Sequence, residues 1–214
     1  MGIEAGDLPA LGTIASAVLI GMVAAIPAQI FMARYAARYS FAILVPVYGL
    51  VGALTCLGTN AEPHALVMLF ASLLLLTGAL TDWKVRRLPD LLTGAFFLYA
   101  MSASIIGYGP NPLDALIGAA IGFGSLLALN LLYQLLRGRN GIGGGDIKLA
   151  AALGALTALP DIVLVLAGGA ILHSLIGLGL IAARRGSLAS ELPFGPALSL
   201  VTWLLLLTAP PVTA

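Results

Sequence analysis

Long apolar runs alternate with short polar segments along the whole chain. Most runs approach the roughly 20 residues that a transmembrane helix needs. The pattern therefore predicts an all-α, polytopic membrane protein with about eight transmembrane helices. The runs lie at about residues 9–33, 41–59, 64–82, 91–108, 115–136, 147–159, 161–183 and 196–209.

Composition supports a membrane protein and narrows its organisation. Of the 214 residues, 60% are hydrophobic and only 9% are charged, which lies outside the range of soluble domains. No long linker interrupts the pattern, so we expect residues 1–214 to form a single transmembrane domain in the lipid bilayer. The net charge of +1 without a clustered basic face excludes a nucleic-acid partner.

The basic residues define the predicted orientation in the membrane. Each lies in a polar segment that follows the first, third, fifth or seventh helix. Cytoplasmic loops carry an excess of Lys and Arg, so we expect these segments in the cytoplasm and both termini outside it. The ten residues are Arg34, Arg38, Lys84, Arg86, Arg87, Arg137, Arg139, Lys148, Arg184 and Arg185.

Two of the predicted helices are too short to span a bilayer alone. The sixth extends from Ile147 to the break at Pro160, about 13 residues or roughly 20 Å, against a hydrocarbon core of roughly 30 Å. The eighth begins at Pro196 and is similarly short. We therefore expect the loops before both helices to dip into the membrane, where protein or water must surround irregular backbone.

Two acids are predicted to reach the same cytoplasmic side. Asp82 ends the third helix and Asp146 begins the sixth. Each has a simpler interpretation: Asp146 as a helix N-cap, and Asp82 as a surface ion pair with Lys84 or Arg86. Together, however, two carboxylates in one small site cannot readily both ionise, so one keeps a proton. A carboxylate beside a carboxylic acid is what aspartyl proteolysis requires.

Three ordered motifs resemble a known family. They are Asp82 with the later Leu88-Pro89-Asp90, then Gly-Gly-Gly-Asp-Ile-Lys at 143–148, then Leu-Pro-Phe-Gly-Pro at 192–196. This arrangement, over about residues 64–210, resembles the type IV prepilin peptidases, membrane aspartyl proteases of the GxGD class.

The resemblance implies that Asp82 and Asp146 are catalytic and that no cofactor is needed. It implies a substrate that is a prepilin or pseudopilin, a single-helix membrane protein whose short basic leader is cut at the cytoplasmic face of the bacterial inner membrane. Larger members carry an N-terminal segment with paired cysteines and also methylate the new N-terminus. This chain has only Cys56 and looks more like the compact peptidases of Flp (tight-adherence) pilus systems, so we expect no methyl transfer.

The loops are expected to bind substrate. Bare backbone at the glycines can pair with an extended peptide. Asp90 and Glu191 are expected to attract the basic leader. Lys148 either favours ionisation of Asp146 or extends towards the lipid headgroups. The predicted binding residues are Gly143, Gly144, Gly145, Lys148, Pro193, Phe194, Gly195, Pro196, Asp90 and Glu191.

Other classes fit the sequence less well. A small transporter or ion pathway would also combine broken helices with intramembrane acids, but it would be expected to place acids at mid-depth. His64 and His173 are far apart, so no metal site is expected. Gly118 and Gly122 form a GxxxG pattern suited to close helix packing, which is also compatible with a homo-oligomer.

Overall fold

The computed structural model describes residues 11–59, 64–184 and 192–208. In these ranges all regular secondary structure is α-helical, and the predicted all-α, polytopic membrane class is confirmed. The helices are α1 (Leu11–Arg34), α2 (Phe41–Gly58), α3 (His64–Val85), α4 (Asp90–Ile105), α5 (Pro112–Arg137), α6 (Gly144–Thr157), α7 (Asp161–Ala182) and α8 (Gly195–Thr208).

Among the described helices, α1, α2, α3, α5 and α7 are long and apolar enough to cross a membrane. Helices α6 and α8 contain 14 residues each, about 21 Å at 1.5 Å per residue, as expected of the two short helices. Helix α4 is a third short helix of 16 residues. Its apolar run predicted a longer element, but the helix ends at Ile105 because Gly107 adopts a left-handed φ of +81°.

Contacts within the chain define two compact units. The first comprises Met1–Thr77 and Trp203–Ala214, and the second comprises Gly78–Thr202. In the first unit α1 packs closely on α2. This close approach requires glycine at two positions, because a side chain on Gly21 would collide with the carbonyl oxygen of Tyr48 and one on Gly52 with that of Ala17. The single transmembrane domain over residues 1–214 stays a prediction.

Buried polar side chains in the first unit bond to one another. The Tyr48 hydroxyl lies 2.6 Å from Thr77 Oγ1. Thr55 Oγ1 donates to Ser72 Oγ at 3.1 Å and accepts from Trp203 Nε1 at 3.3 Å. Such interhelical hydrogen bonds satisfy polar groups that lipid cannot solvate. They give a structural role to residues before position 60, for which the sequence indicated no function.

The second unit is built around the short helix α6. Helices α4, α5 and α7 all contact it, and most of its residues after Asp146 are buried. The part of α6 that follows Asp146 is thus largely surrounded by protein. Gly118 and Gly122 provide the closest approach: an added Cβ would collide with the carbonyl oxygen of Gly154 or Ala150 on α6. The GxxxG pattern therefore packs within the chain.

The α5–α6 contact makes a stability prediction. Gly118→Ala should lower the free energy of unfolding by about 1–3 kcal/mol, the usual range for overpacking, because its Cβ meets backbone that cannot rotate away. The matched control is Gly124→Ala on the same helix, where an added Cβ meets nothing within 4 Å. Thermal unfolding in detergent measures both, and equal unfolding temperatures would contradict the packing described.

Candidate active site

Asp82 lies in the last turns of α3 and is buried. Only 4% of the residue is exposed, so its surroundings differ from those of a surface ion pair. Its Oδ2 accepts the backbone N–H of Gly195, the first residue of α8, at 3.1 Å. The helix ends just beyond it, where Arg86 takes a positive φ of 55° and donates its N–H to the Asp82 carbonyl. The carboxyl group is thus held by the loop that enters α8.

Asp146 is the third residue of α6, and Gly143 occupies the N-cap position without a side-chain cap. The interpretation of Asp146 as the N-cap residue is therefore wrong. Its Oδ2 instead lies beside Gly143, 3.1 Å from the position that a Cβ on that glycine would take. An acid in the first turn of a helix is favoured by the helix dipole.

The two acids meet next to the Gly195 amide. This amide donates to Asp82 Oδ2 at 3.1 Å, and Asp146 lies close enough to Asp82 for their charges to interact. The acids come from α3 and α6 and the amide from α8, so three elements distant in sequence meet inside the second unit. The site holds two neighbouring carboxyl groups, one of which is fixed by a backbone hydrogen-bond donor.

Leu88 explains why glycine stands at two positions of this site. It is buried, and an added Cβ on Gly145 would lie 2.8 Å from Leu88 Cβ. An added Cβ on Gly195 would lie 3.1 Å from Leu88 Cδ1 and 2.7 Å from Asp82 Oδ2. Leu88 therefore packs between the two loops, a role that the sequence did not indicate.

His173 on α7 supports the loop before α8. Its ring meets the Phe194 ring edge-on with centroids 5.3 Å apart. The interpretation of His173 as a packing residue agrees with this contact. Pro193, Phe194 and Pro196 are partly exposed while Gly195 is buried. Glu191 lies outside the described residues.

Lys148 and Asp90 form an ion pair with each other. Lys148 Nζ lies 2.7 Å from Asp90 Oδ1, with side chains 49% and 76% exposed. Lys148 thus pairs with the first residue of α4, a partner that neither predicted alternative named. A carboxylate already facing a cation attracts a basic peptide less strongly than a free one would.

The loop before α6 remains open around its glycines. Gly143 and Gly144 are exposed, Gly145 is partly exposed, and an added Cβ on Gly144 would meet nothing within 4 Å. Two backbone N–H groups of this loop, those of Gly141 and Ile142, donate to Asn130 of α5. The sequence analysis did not single out Asn130. Its only signal is a lone amide within an apolar run. No cluster of three or more His, Cys, Asp or Glu side chains suited to a metal ion occurs among the described residues.

Sequence comparison identifies the family of this chain. The model of the type IV leader peptidase family matches residues 68–181, more than half of the chain and the part that includes Asp82 and Asp146. The chain belongs to the type IV leader peptidase family. As in the predicted resemblance, the leader peptidase match begins in α3, and it ends before the loop that carries Gly195.

Curated relatives in this leader peptidase family are named prepilin leader peptidase/N-methyltransferase. The chain is 32% identical to the Pseudomonas putida protein over 69% of this chain and 51% of the relative. It is 34% identical to the Aeromonas hydrophila protein (78% and 60%) and 37% identical to a Burkholderia pseudomallei protein (76% and 52%). The chain thus spans about half the length of the relatives it matches. No solved structure matches it significantly.

The contribution of the Asp90–Lys148 ion pair to stability can be measured. Because both side chains are largely exposed, a double-mutant cycle of Asp90→Asn and Lys148→Met should give a coupling energy of only about 0.2–1 kcal/mol. Thermal unfolding in detergent at low and high salt measures it, with the coupling falling as salt rises. A salt-independent coupling above this range would mean that the pair is shielded from water.

Proposed function

We propose that this protein is an intramembrane aspartyl endopeptidase that removes the short basic leader from a prepilin or pseudopilin precursor. The observation that carries the proposal is the position of the Asp82 and Asp146 carboxyl groups, which lie close enough for their charges to interact while Asp82 accepts the Gly195 amide. The family to which the chain belongs supports the reaction class. No cofactor is required, because two carboxyl groups can supply both proton-transfer roles.

The proposed reaction uses one proton held between two acids. Adjacent carboxyl groups in a partly desolvated site cannot readily both ionise, so the pair keeps one proton. The ionised member takes a proton from a water molecule while the water oxygen attacks the scissile carbonyl carbon. The protonated member donates its proton to the carbonyl oxygen. The protons then belong to the pair rather than to a fixed residue. Collapse of the tetrahedral intermediate breaks the C–N bond: the amine leaves with a proton from the pair, and a hydroxyl of the intermediate returns its proton to the pair as the new carboxylic acid forms.

The substrate is proposed to lie extended beside the glycine loop. Exposed backbone at Gly143 and Gly144 can pair with a peptide strand, and no side chain there blocks its approach. Phe194 and Pro196, partly exposed and adjacent to Gly195 in the chain, would contact the residues around the scissile bond. Asp90 and Glu191 remain proposed contacts for the basic leader, with Lys148 competing for Asp90.

The proposed function also implies where the protein acts in the cell. The substrate would be a single-helix membrane protein in the bacterial inner membrane, cut at the cytoplasmic face, with both termini of the enzyme outside the cytoplasm. The relatives' names combine peptidase with methyl transfer, and for this chain we propose the peptidase alone, since it has only Cys56. A homo-oligomer stays a prediction.

The positions of the acids favour a peptidase over a transporter. The five acids in the described ranges are Asp82, Asp90, Asp114, Asp146 and Asp161, and each lies within about a turn of a helix end. Transporters typically bind their substrates and coupling ions near the bilayer midplane.

The central test replaces each acid in turn. Asp82→Asn and Asp146→Asn should each lower the rate of leader removal by at least about 100-fold, because each removes one proton-transfer group. The assay follows cleavage of a prepilin with a basic leader in liposomes, with folding checked by thermal unfolding. If a folded single variant cuts as fast as wild type, that acid is not catalytic. The transporter would be favoured if wild type cuts none of the prepilins offered and instead shows ion or solute flux that requires both acids.

The close contact between Gly195 and Asp82 gives a second prediction about catalysis. Gly195→Ala should lower kcat by about 10- to 100-fold, since its Cβ would lie 2.7 Å from Asp82 Oδ2 and must displace that carboxyl group. Gly94→Ala on α4 is the control, because an added Cβ there meets nothing within 4 Å. Steady-state cleavage kinetics measure both variants. Wild-type kcat in Gly195→Ala would show that the position of Asp82 is not critical.

A further inference from the structure

Asn130 is a buried amide in the membrane-spanning helix α5. It is 7% exposed, and its Oδ1 accepts the backbone N–H of Gly141 at 2.9 Å and of Ile142 at 3.0 Å. One side-chain oxygen thus binds two consecutive amides. These amides precede Gly143, the N-cap of α6, so the helix itself offers them no partner.

Two further side chains on the same face of α5 hold this loop. Tyr133 and Gln134 follow Asn130 by three and four residues, the spacing that places side chains on one helix face. Gln134 Nε2 donates to Asn140 Oδ1. Gly141 lies against the Tyr133 ring, where an added Cβ would be 2.6 Å from Cδ1. The loop is therefore bound at residues 140, 141 and 142.

The bound loop is short and leads directly to the acid. Only three residues separate Ile142 from Asp146. A buried side-chain amide is unfavourable in a lipid-spanning segment unless it is hydrogen-bonded, and here its bonds go to the loop rather than to another helix. A displacement at Gly141 and Ile142 would be transmitted to the first turn of α6.

We infer that Asn130 is a positioning residue for the proposed peptidase reaction. By binding the amides of Gly141 and Ile142, it sets where α6 begins and thereby holds Asp146 beside Asp82 and the Gly195 amide. The inference rests on the proposed function for its effect on catalysis, but the loop contact can be measured without any substrate.

The first experiment measures the contact itself. Hydrogen exchange of residues 138–143 is compared in wild type, Asn130→Leu, which lacks the acceptor, and Asn130→Asp, which keeps it. We expect exchange at Gly141 and Ile142 to be about 5- to 10-fold faster in Asn130→Leu than in the other two, because each amide loses its hydrogen-bond acceptor. Unchanged exchange in Asn130→Leu would overturn the inference, whether or not the protein cuts prepilin.

The second experiment measures the consequence for catalysis. Asn130→Leu should lower kcat by up to about 100-fold, with KM within about threefold of wild type, because a misplaced catalytic group slows chemistry more than it weakens binding. Asn130→Asp should retain kcat within about threefold. The control Thr157→Val removes a buried hydroxyl from the far end of α6 and should leave kcat unchanged even if stability falls.

Each outcome has one meaning. Faster loop exchange with wild-type kcat would overturn a positioning role for Asn130. A kcat loss shared by Asn130→Asp and Thr157→Val would also overturn it, because general destabilisation would then explain the loss. If Asn130→Leu does not fold, Gly141→Ala replaces it, since its Cβ would push the exposed loop away from Tyr133, and the same changes in exchange and kcat are expected. Absence of cleavage by wild type would refute the proposed function and, with it, the catalytic role inferred for Asn130.

Discussion

The requirement that backbone polar groups be hydrogen-bonded within a membrane shapes this protein. Two segments near the acids, at 138–143 and 192–194, are not helical, so their amides lack the partners that a helix provides. Side chains take that role: Asn130 binds the amides of Gly141 and Ile142, and Asp82 binds that of Gly195. The groups that satisfy the backbone are therefore the groups that arrange the candidate active site.

Close packing makes this arrangement compatible with a short helix. Helix α6 can remain away from lipid because α4, α5 and α7 surround it, and glycine at Gly118 and Gly154 lets the α5 and α6 backbones touch. At the other end of α6, Leu88 packs against Gly145 and Gly195. The position of Asp146 thus depends on contacts along the whole length of α6.

The chemistry proposed for the site needs little beyond this arrangement. The two carboxyl groups lie close enough for their charges to interact, which is the condition for retaining a single proton. The exposed glycines beside them leave backbone free to pair with a peptide. Membership of the type IV leader peptidase family agrees with such a reaction, although the curated relatives are about twice as long as the part they share with this chain.

Hydropathy alone determined the number and approximate limits of the helices, because the length of an apolar run is a local property. Charge placement and three short motifs were sufficient to pair Asp82 with Asp146. Only the tertiary structure decided the early end of α4, the Asp90–Lys148 pair and the roles of Leu88 and Asn130. These features depend on which residues of packed helices and loops face each other, and hydropathy carries no information about that orientation.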